Sequence, residues 1–369
     1  MKTVAIIGTR GYPSHYGGFE TAVRKLVPYL VQKELKVRIY CRHGETTENS
    51  YSPHPFIERV FTRGLKNVNL NTLTHGLYAC LHSFVFKPDV ALIMNVANGF
   101  WIPLLKMRGI PTIVNVDGME WQRSKWNKLG KKVFYSGAII TSKLSDYLIA
   151  DSKCIKKKWN ELFSVESEFI PYGGELNVIQ FEDREDYILY VARLVPENSI
   201  MSFLDSISLF DENIKVRIVG SKSTFSYIHE KLKEVIQNSH KVEWLGQIRD
   251  EKELNDLWRK CAIYFHGHTV GGTNPALVQA MSSGAPIIAI DTIFNREVLE
   301  NTGIFVQNCP VSIAKEINSL FVDIKKRETL STNARLRASQ NYTWESVNSR
   351  YFEIINSAIQ NSNVIRNSQ

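Results

Sequence analysis

Short apolar segments that alternate with helix-period segments constrain the fold of this chain more than any other feature. Apolar runs such as Thr3–Gly8 and Asp89–Met94 read as buried strands, whereas Phe19–Gln32 repeats its apolar residues at helical spacing. This alternation is typical of a parallel sheet with helices on both faces. It pauses in a polar stretch that begins at Pro171, and it resumes at Tyr187. The sequence therefore predicts two doubly wound α/β halves.

The pause in the pattern also predicts the domain organisation. With 369 residues, the chain is long enough for two domains of ordinary size. We predict an N-terminal domain over residues 1–175 and a C-terminal domain over 176–342, followed by a helix in 343–369 that packs back on the first domain. Ligands of doubly wound sheets bind beyond the carboxyl ends of the strands. We therefore expect the site in a cleft where the two domains face each other.

Composition favours a cytoplasmic protein without a cofactor. The first apolar run ends at Gly8 without the cleavage site of a signal peptide, and no run approaches the roughly 18 apolar residues of a membrane span. The five cysteines contain no CxxC pair, which fits buried thiols in a reducing compartment better than disulfides or zinc. No histidines have helical metal-ligand spacing, so we expect no metal.

The net charge of +8 is concentrated in one segment. Residues 121–160 contain ten Lys or Arg and two Asp, a sum of +8, so the rest of the chain is balanced. Cations beside aromatic residues suit an anionic membrane surface, and a solvated helix face is the alternative. No RNA-binding motif accompanies them, so we expect no nucleic acid partner. The predicted membrane contacts are Trp121, Lys125, Trp126, Lys128, Lys131 and Lys132.

The segment that follows His266 contains the clearest ligand signal. A glycine pair comes after a predicted strand, and Pro275 suits the first turn of a helix that a polar residue caps. Main-chain N–H groups at a helix start bind phosphate, and glycine allows a phosphate to come close. An ordinary loop and helix cap is the alternative. The predicted donor contacts here are Gly271, Gly272, Thr273, Asn274 and Gln279.

Arg193 is the second predicted phosphate contact of this half. It stands just past the apolar run Tyr187–Ala192, where a strand of the second sheet is expected to end. A guanidinium at that place can neutralise the pyrophosphate of a leaving group. A surface salt bridge is the alternative role for this side chain.

A long glycine-rich loop from Gly8 to Glu20 follows the first predicted strand. Doubly wound folds place a phosphate loop there. The loop is not G-x-G-x-x-G, and the second strand ends without an acidic residue for an adenosine ribose, which counts against a nicotinamide dehydrogenase. A segment that closes over a sugar is favoured over a flexible turn. Gly17 and Gly18 are its predicted donor contacts, and Tyr16 and Glu20 are predicted acceptor contacts.

Two carboxylates follow the predicted strand that ends near Val116. Asp117 and Glu120 precede the basic segment, and a carboxylate there could orient or deprotonate an acceptor hydroxyl. Carboxylates at a helix start are also common as plain caps. We predict that both residues bind the acceptor and take part in catalysis, together with Arg193.

These segments together resemble glycosyltransferase family 4, whose members have the GT-B fold of two Rossmann-like domains facing across a cleft. The resemblance covers nearly the whole chain. The segments Gly8–Glu20, Asp117–Trp126 and Val270–Pro275 look like a subgroup with a characteristic N-terminal domain, which includes bacterial rhamnosyltransferases of capsule and O-antigen synthesis. The resemblance implies a metal-independent transfer that retains anomeric configuration, with the donor in the second domain and the acceptor against the first.

The resemblance also implies roles for individual residues. Main-chain amides of Gly271–Asn274 and Arg193 would hold the leaving pyrophosphate, and Asp117 matches the region of a sugar-contacting polar group. Two motifs depart from the family pattern. In the E-x7-E motif, Gly271 stands at the first glutamate and Gln279 at the second, and Asn198 replaces a phosphate-binding lysine but is retained as a donor contact. The subgroup shares the glycine and the asparagine, which suggest a donor such as dTDP-rhamnose, whereas Gln279 is this chain's own departure and could reduce activity.

The leading prediction is transfer of L-rhamnose from dTDP-rhamnose to a lipid-linked oligosaccharide, by a protein attached to the cytoplasmic face of the plasma membrane. Three alternatives stay open. The donor could be a UDP-sugar, or the chain could be a non-hydrolysing nucleotide-sugar epimerase, which has the same two-domain plan. Gln279 and Asn198 would also fit a catalytically weak nucleotide-sugar-binding protein.

Overall fold

The computed structural model describes residues 1–14, 17–46, 53–62, 64–65, 68–123, 126–176 and 184–367, with the backbone alone for 68–70 and 363–367. The chain divides into two compact units. The first consists of Met1–Pro171 with Glu345–Gln369, and the second of Tyr172–Trp344. Each contains a wholly parallel sheet with helices between the strands, so the predicted α/β class with two doubly wound domains is confirmed.

The first unit contains a seven-stranded sheet in the order β3-β2-β1-β4-β5-β6-β7. Its strands are β1 Thr3–Ile7, β2 Lys36–Arg42, β3 Ile57–Thr62, β4 Val90–Met94, β5 Thr112–Asn115, β6 Tyr147–Ala150 and β7 Glu168–Phe169. Its helices are α1 Gly18–Gln32, α2 Val68–Val85, α3 Ile102–Met107, α4 Lys128–Leu144 and α5 Lys153–Phe163. Strand β4 is buried at all five positions, as expected for a strand covered on both faces.

The order of the strands places the helices of this unit on two faces. The chain passes from β1 through β2 to β3 in one direction, and from β4 through β7 in the other. Because such crossovers are right-handed, α1 lies on one face of the sheet and α2–α5 lie on the other. The reversal of direction between β1 and β4 is the place where doubly wound sheets open a crevice for ligands.

The second unit contains a six-stranded sheet in the order β10-β9-β8-β11-β12-β13. Its strands are β8 Glu185–Val191, β9 Lys215–Val219, β10 Val242–Gly246, β11 Cys261–His266, β12 Ile287–Ile290 and β13 Ile304–Val306. Its helices are α6 Ile200–Ser206, α7 Ser226–Asn238, α8 Glu251–Lys260, α9 Pro275–Ser282, α10 Ile293–Leu299, α11 Pro310–Val322 and α12 Ile324–Asn341. The direction of the chain reverses here between β8 and β11.

The final helix, α13, extends over Trp344–Asn367 and packs on the first unit. Asn348 donates to the main-chain oxygen of Lys25 at 3.2 Å. The Tyr351 hydroxyl accepts a hydrogen bond from Asn115 at 2.7 Å, and burial raises the pKa of that hydroxyl. The helix therefore completes the first unit after the chain has built the second. No helix in the described part of the chain is long and apolar enough to cross a membrane.

Candidate functional site

The carboxyl edge of the second sheet brings the predicted phosphate contacts together. Strands β8 and β11 are neighbours, with Tyr190 beside Phe265 in the ladder. The loop that follows β8 contains Arg193, and the loop that follows β11 leads into helix α9. Two loops that are far apart in the sequence therefore leave the sheet side by side, at the point where the strand order reverses.

Helix α9 begins in the way that the sequence indicates. The side chain of Asn274 caps the helix by accepting from the N–H of Ala276 at 3.0 Å, and Pro275 occupies the first turn. Gly271 has a φ of +113°, a conformation that favours glycine, and a Cβ there would meet open space. Gly271 and Gly272 are half-exposed, whereas Thr273 is buried. The helix start thus presents accessible main chain to an anion.

Direct contacts lock the two loops against each other. The N–H and the hydroxyl of Thr269 both donate to the main-chain oxygen of Glu197, at 3.0 and 2.8 Å. Gly267 passes so close to the main-chain oxygen of Asn198 that a Cβ would overlap it. The hydroxyl of Tyr190 donates to that same oxygen at 2.8 Å. The position of Arg193 relative to α9 is therefore fixed by the fold.

Arg193 and Asn198 have different roles in the loop after β8. The side chain of Arg193 is exposed, and no hydrogen bond or ion pair joins its guanidinium to another residue within the described ranges. Asn198 is only 2% exposed, and its amide donates to the main-chain oxygen of Arg193 at 2.8 Å. The predicted donor contact at Asn198 stays a prediction, and its buried amide closes the turn that positions Arg193.

Gln279 lies one turn into α9, close to the segment that enters the second unit. Its Oε1 accepts from the N–H of Glu175 at 3.3 Å, and its Nε2 donates to the hydroxyl of Ser283 at 3.5 Å. The side chain is half-buried. Both the oxygen and the nitrogen of this amide are thus hydrogen-bonded to neighbouring groups. The contact of Gln279 with a donor stays a prediction.

The structure shows a pair of stacked histidines at the end of β11, which the site predicted from sequence did not include. The rings of His266 and His268 lie 4.5 Å apart and nearly parallel, and His266 Nδ1 is 3.0 Å from the hydroxyl of Tyr264. Burial and the neighbouring His268 hold the pKa of His266 well below its ordinary value, so its imidazole is neutral. The described residues contain no cluster of three metal-ligating side chains. The signal in the sequence is His-Gly-His, whose glycine allows the close approach to the main-chain oxygen of Asn198.

The carboxyl edge of the first sheet has a different character. Gly8 has a φ of +97°, and a Cβ there would overlap the main-chain oxygen of Met94, so only glycine allows the loop to cross beside β4. Gly17 precedes α1 and Gly18 begins it. Glu20 is 8% exposed, and its Oε1 accepts from the N–H of Arg10 at 3.1 Å. This bond ties the glycine-rich loop to α1, and the acceptor contact at Glu20 stays a prediction.

Strained main chain marks the ends of β4 and β5. Asn95 and Asp117 are not glycines, yet their φ values are +75° and +55°. Asn95 accepts from the N–H of Ala97 at 2.9 Å, and Asn115 accepts from the N–H of Asp117 at 2.9 Å. Residues held in this region of conformational space cluster at functional sites. Asp117 is half-buried at this edge, and it is the predicted catalytic carboxylate that the geometry favours.

Glu120, the other predicted catalytic carboxylate, is engaged within the fold. It is 5% exposed, its Oε1 lies 2.7 Å from Nε of Arg123, and its Oε2 accepts from the indole of Trp126 at 2.9 Å. A buried carboxylate needs such partners to offset the loss of water. Both of its oxygens thus hold the segment that leads to α4, and acceptor binding and catalysis by Glu120 stay predictions.

Some of the predicted membrane contacts pack within the fold, and others are exposed. Trp121 packs edge-on against Tyr135, Trp159 and Phe163, with ring centroids about 6 Å apart, and is half-buried. Trp126 is half-buried and donates to Glu120, so neither indole projects as a free anchor. Lys128 and Lys132 are exposed, and Lys131 is half-exposed. Tyr16 and Lys125 lie outside the described residues.

Comparison with protein families matches the two units to different families. The family described as Glycosyl transferases group 1 matches residues 175–337, which include Arg193 and α9. The family described as a domain of unknown function, DUF1972, matches residues 1–61 and 87–175. The stretch that it leaves out contains α2.

Individual relatives point to the same kind of protein. The chain is 25% identical over 343 residues to the uncharacterized glycosyltransferase MJ1178 of Methanocaldococcus jannaschii. The aligned residues cover 90% of this chain and 93% of the relative. It is 23% identical over 181 residues to the O-antigen chain mannosyltransferase RfbU of Salmonella typhimurium. This alignment covers 48% of this chain and 51% of RfbU.

Solved structures show the same fold. Sucrose-phosphate synthase from Thermosynechococcus elongatus superimposes with a TM-score of 0.80 at 16% identity, over 97% of this chain and 99% of that protein. HepE from Anabaena, solved in complex with UDP, superimposes with a TM-score of 0.75 at 16% identity, over 97% of this chain and all of that protein. Both share the pair of Rossmann-like domains known as the GT-B fold.

Proposed function

We propose that this chain, a glycosyltransferase with the GT-B fold, transfers a sugar from a nucleotide-sugar donor to a lipid-linked oligosaccharide during synthesis of a bacterial surface polysaccharide. The relative RfbU acts on the O-antigen chain by its name, and HepE binds UDP in its solved complex. These similarities support the class of acceptor and the class of donor. The assignment of groups within this chain follows from its own geometry.

One observation carries the proposal: the loop that contains the exposed Arg193 is bound to the loop that leads into the capped start of α9. The first turn of a helix has N–H groups outside the helical hydrogen bonds, and these groups attract anions. The fixed contact between Thr269 and Glu197 holds the two loops together. A cation and a helix start that meet in this way suit the two phosphates of a nucleoside diphosphate.

The reaction places the negative charge where these groups lie. The bond between the anomeric carbon and the phosphate oxygen breaks, and its electron pair stays on the nucleoside diphosphate. The acceptor hydroxyl forms the new glycosidic bond and gives up its proton. Preorganised groups that stabilise the leaving diphosphate supply the largest catalytic term in such a site. We assign that role to Arg193 and to the main chain of Gly271–Asn274.

Asp117 is the carboxylate that we assign to the acceptor. Its main chain is held by Asn115, which is itself bound to Tyr351, so the position of the carboxylate is supported from α13. A carboxylate held in this way can orient an acceptor hydroxyl and receive its proton. The resemblance to rhamnosyltransferases favours dTDP-rhamnose as the donor and retention of anomeric configuration.

We also propose that the protein works at the cytoplasmic face of the plasma membrane. The exposed Lys128 and Lys132 lie on α4, next to the strand ends that carry Asp117. An acceptor with a lipid anchor would be presented at an anionic surface, to which lysines are attracted. This part of the proposal rests on the charge of the segment and on the class of acceptor.

A thermal-shift panel tests the donor assignment. Purified protein would be heated with UDP, dTDP, GDP and ADP and with their common sugar conjugates. A ligand at 100 times its dissociation constant adds about 2.7 kcal/mol of stability. A selective shift with dTDP-rhamnose is the expected result. A selective shift with UDP-sugars would discard rhamnose, and no shift with any nucleotide would overturn the donor site.

A further inference from the structure

Helix α2 in the first unit combines an apolar surface with a complete lack of charge. Its 18 residues, Val68–Val85, contain no Asp, Glu, Lys or Arg. Helices at the surface of soluble proteins usually carry charged residues on the side that faces water. The uncharged outer side of α2 is therefore not the side that a helix usually presents to water.

The exposed apolar side chains of α2 form one continuous face. Tyr78, Leu81 and Val85 follow each other at intervals of three and four residues, and Phe86 comes directly after the helix. They are 51%, 42%, 66% and 56% exposed, in that order. We call this set the α2 face. All four residues are exposed, while Ala79, Cys80 and Ser83 on the opposite side of the helix are fully buried.

Cations flank this face, and acidic residues are absent from it. The chain contains no Asp or Glu from Val60 to Pro88, whereas Lys66 precedes the helix and Lys87 follows it. Lys87 is exposed, and the guanidinium of Arg108 lies over the ring of Phe84 at 5.4 Å. The combination of an uncharged apolar face with basic ends is typical of a helix that lies in a membrane interface.

The acidic groups near the end of α2 are already neutralised. Asp89 forms an ion pair with Lys2 at 3.0 Å, and Asp146 forms one with Lys106. Arg108 donates from Nε to the main-chain oxygen of Phe84 at 2.9 Å, which fixes the cation beside the helix end. The local charge that remains is therefore positive, and it complements an anionic surface.

We propose that the α2 face docks on an anionic lipid surface, with Tyr78, Leu81, Val85 and Phe86 buried in the interface and Lys87 and Arg108 at the headgroups. The inference rests on the proposed function only in that a lipid-linked acceptor requires a membrane nearby. Helix α4 lies on the same face of the sheet as α2, so its exposed lysines can meet the same plane. The apolar anchor is thus α2, since Trp121 and Trp126 are engaged within the fold.

Vesicle binding by the full chain tests this docking surface. Sedimentation with phosphatidylcholine vesicles is compared with vesicles that also contain phosphatidylglycerol, without any nucleotide. The double variant Val85→Gln/Phe86→Gln removes two apolar contacts, and we expect its partition coefficient to fall by about tenfold or more. Val322→Gln/Ile324→Gln is the matched control, because these side chains are 71% and 60% exposed in the second unit.

A second pair of variants tests the contribution of charge to vesicle binding. Lys87→Glu reverses a charge beside the α2 face, and Lys315→Glu on α11 is its control. We expect only Lys87→Glu to weaken binding, and added salt to weaken binding of the unaltered protein. Each variant is also checked by thermal unfolding and by transfer to a soluble acceptor, both of which should be unchanged. Loss of transfer with intact vesicle binding would count against the proposed function and leave the docking surface in place.

Three results would overturn the docking surface. They are no binding of the unaltered protein to either vesicle, equal binding to neutral and anionic vesicles, and equal losses in the α2 variant and its control. A further result would assign the α2 face to another occupant. If sedimentation velocity shows a dimer that Val85→Gln/Phe86→Gln dissociates, the face is a contact between two copies of this chain.

Discussion

The carboxyl edges of the two sheets use their polar groups in opposite ways. In the second unit, the edge presents the main chain of Gly271 and Gly272 and the exposed guanidinium of Arg193. In the first unit, Glu20 and Glu120 are buried and bound by neighbouring donors. One edge therefore leaves main chain and a cation accessible, while the other uses two of its carboxylates to hold its own loops.

The comparison shows that the partners of a charged side chain at a strand end are harder to predict from sequence than the shape of the main chain. A phosphate loop depends on glycine conformation and on a helix cap, which leave their marks within a few neighbouring residues. A carboxylate becomes a ligand or an internal tie depending on which donors the fold brings to it. Asp117, with strained main chain, is the exception in the first unit.

The largest expected effect is at the anion-binding edge. Arg193→Ala should lower kcat/KM by about 100- to 1,000-fold, because the developing charge on the diphosphate loses its cation. The unfolding midpoint should stay the same, since the side chain is exposed. Arg249→Ala, at an exposed arginine after β10, is the matched control and should retain turnover. Equal turnover of Arg193→Ala and the unaltered protein would remove this residue from the site.

Glu120→Gln should instead cost stability. The change leaves Arg123 without its carboxylate in a buried setting, and breaking such a pair costs about 3 kcal/mol of unfolding free energy. Denaturant unfolding measures the change. Glu161→Gln is the control, because its contact with Lys157 is 3.9 Å long and exposed. A variant of normal stability without turnover would support Glu120 as a catalytic residue.

Asp117→Asn should lower turnover by about 10- to 100-fold, because the acceptor hydroxyl loses a charged partner of the same shape. Asparagine tolerates the positive φ, so the unfolding free energy should change by less than about 0.5 kcal/mol. Glu34→Asn, at an exposed residue that also has a positive φ, of 61°, is the control for both measurements. Unchanged initial rates at saturating donor would contradict the assignment of Asp117 to the acceptor.

The smallest expected effect is at the helix start. Asn274→Ala removes the cap of α9 and should cost about 1 kcal/mol of stability, with nucleotide binding weakened several-fold. Asn127→Ala removes the equivalent cap of α4, which accepts from Gly130 at 2.9 Å, and should cost similar stability with unchanged nucleotide affinity. Calorimetric titration distinguishes them. Equal affinities in the two variants would separate the helix start from the donor site.

Local patterns made most of the fold predictable. Alternating strands and helices gave the sheet class, and the glycines with Asn274 and Pro275 located the start of α9 because all of their partners are nearby. Boundaries differ by single residues. The predicted helix over Phe19–Gln32 begins at Gly18, and the predicted strand over Thr3–Gly8 ends at Ile7, because Gly8 turns away with a φ of +97°.

The internal roles of site residues could not be predicted, because they depend on distant partners. Asn115 is bound to Tyr351, 236 positions later in the chain, and no spacing rule connects them. The main-chain oxygen of Asn198 lies directly beside Gly267, which is far from it in the sequence. Glu120 is different, since its partner Arg123 lies only three residues later in the sequence.

Sugar transfer by the purified chain tests the central claim most directly. The protein would be incubated with dTDP-rhamnose or with UDP-sugars and a lipid-linked oligosaccharide, and the products weighed by mass spectrometry. The account predicts one added sugar on the acceptor together with release of the nucleoside diphosphate, and loss of both in Arg193→Ala. A sugar nucleotide that is epimerised without acceptor, or that is bound and recovered unchanged with every acceptor, would contradict it.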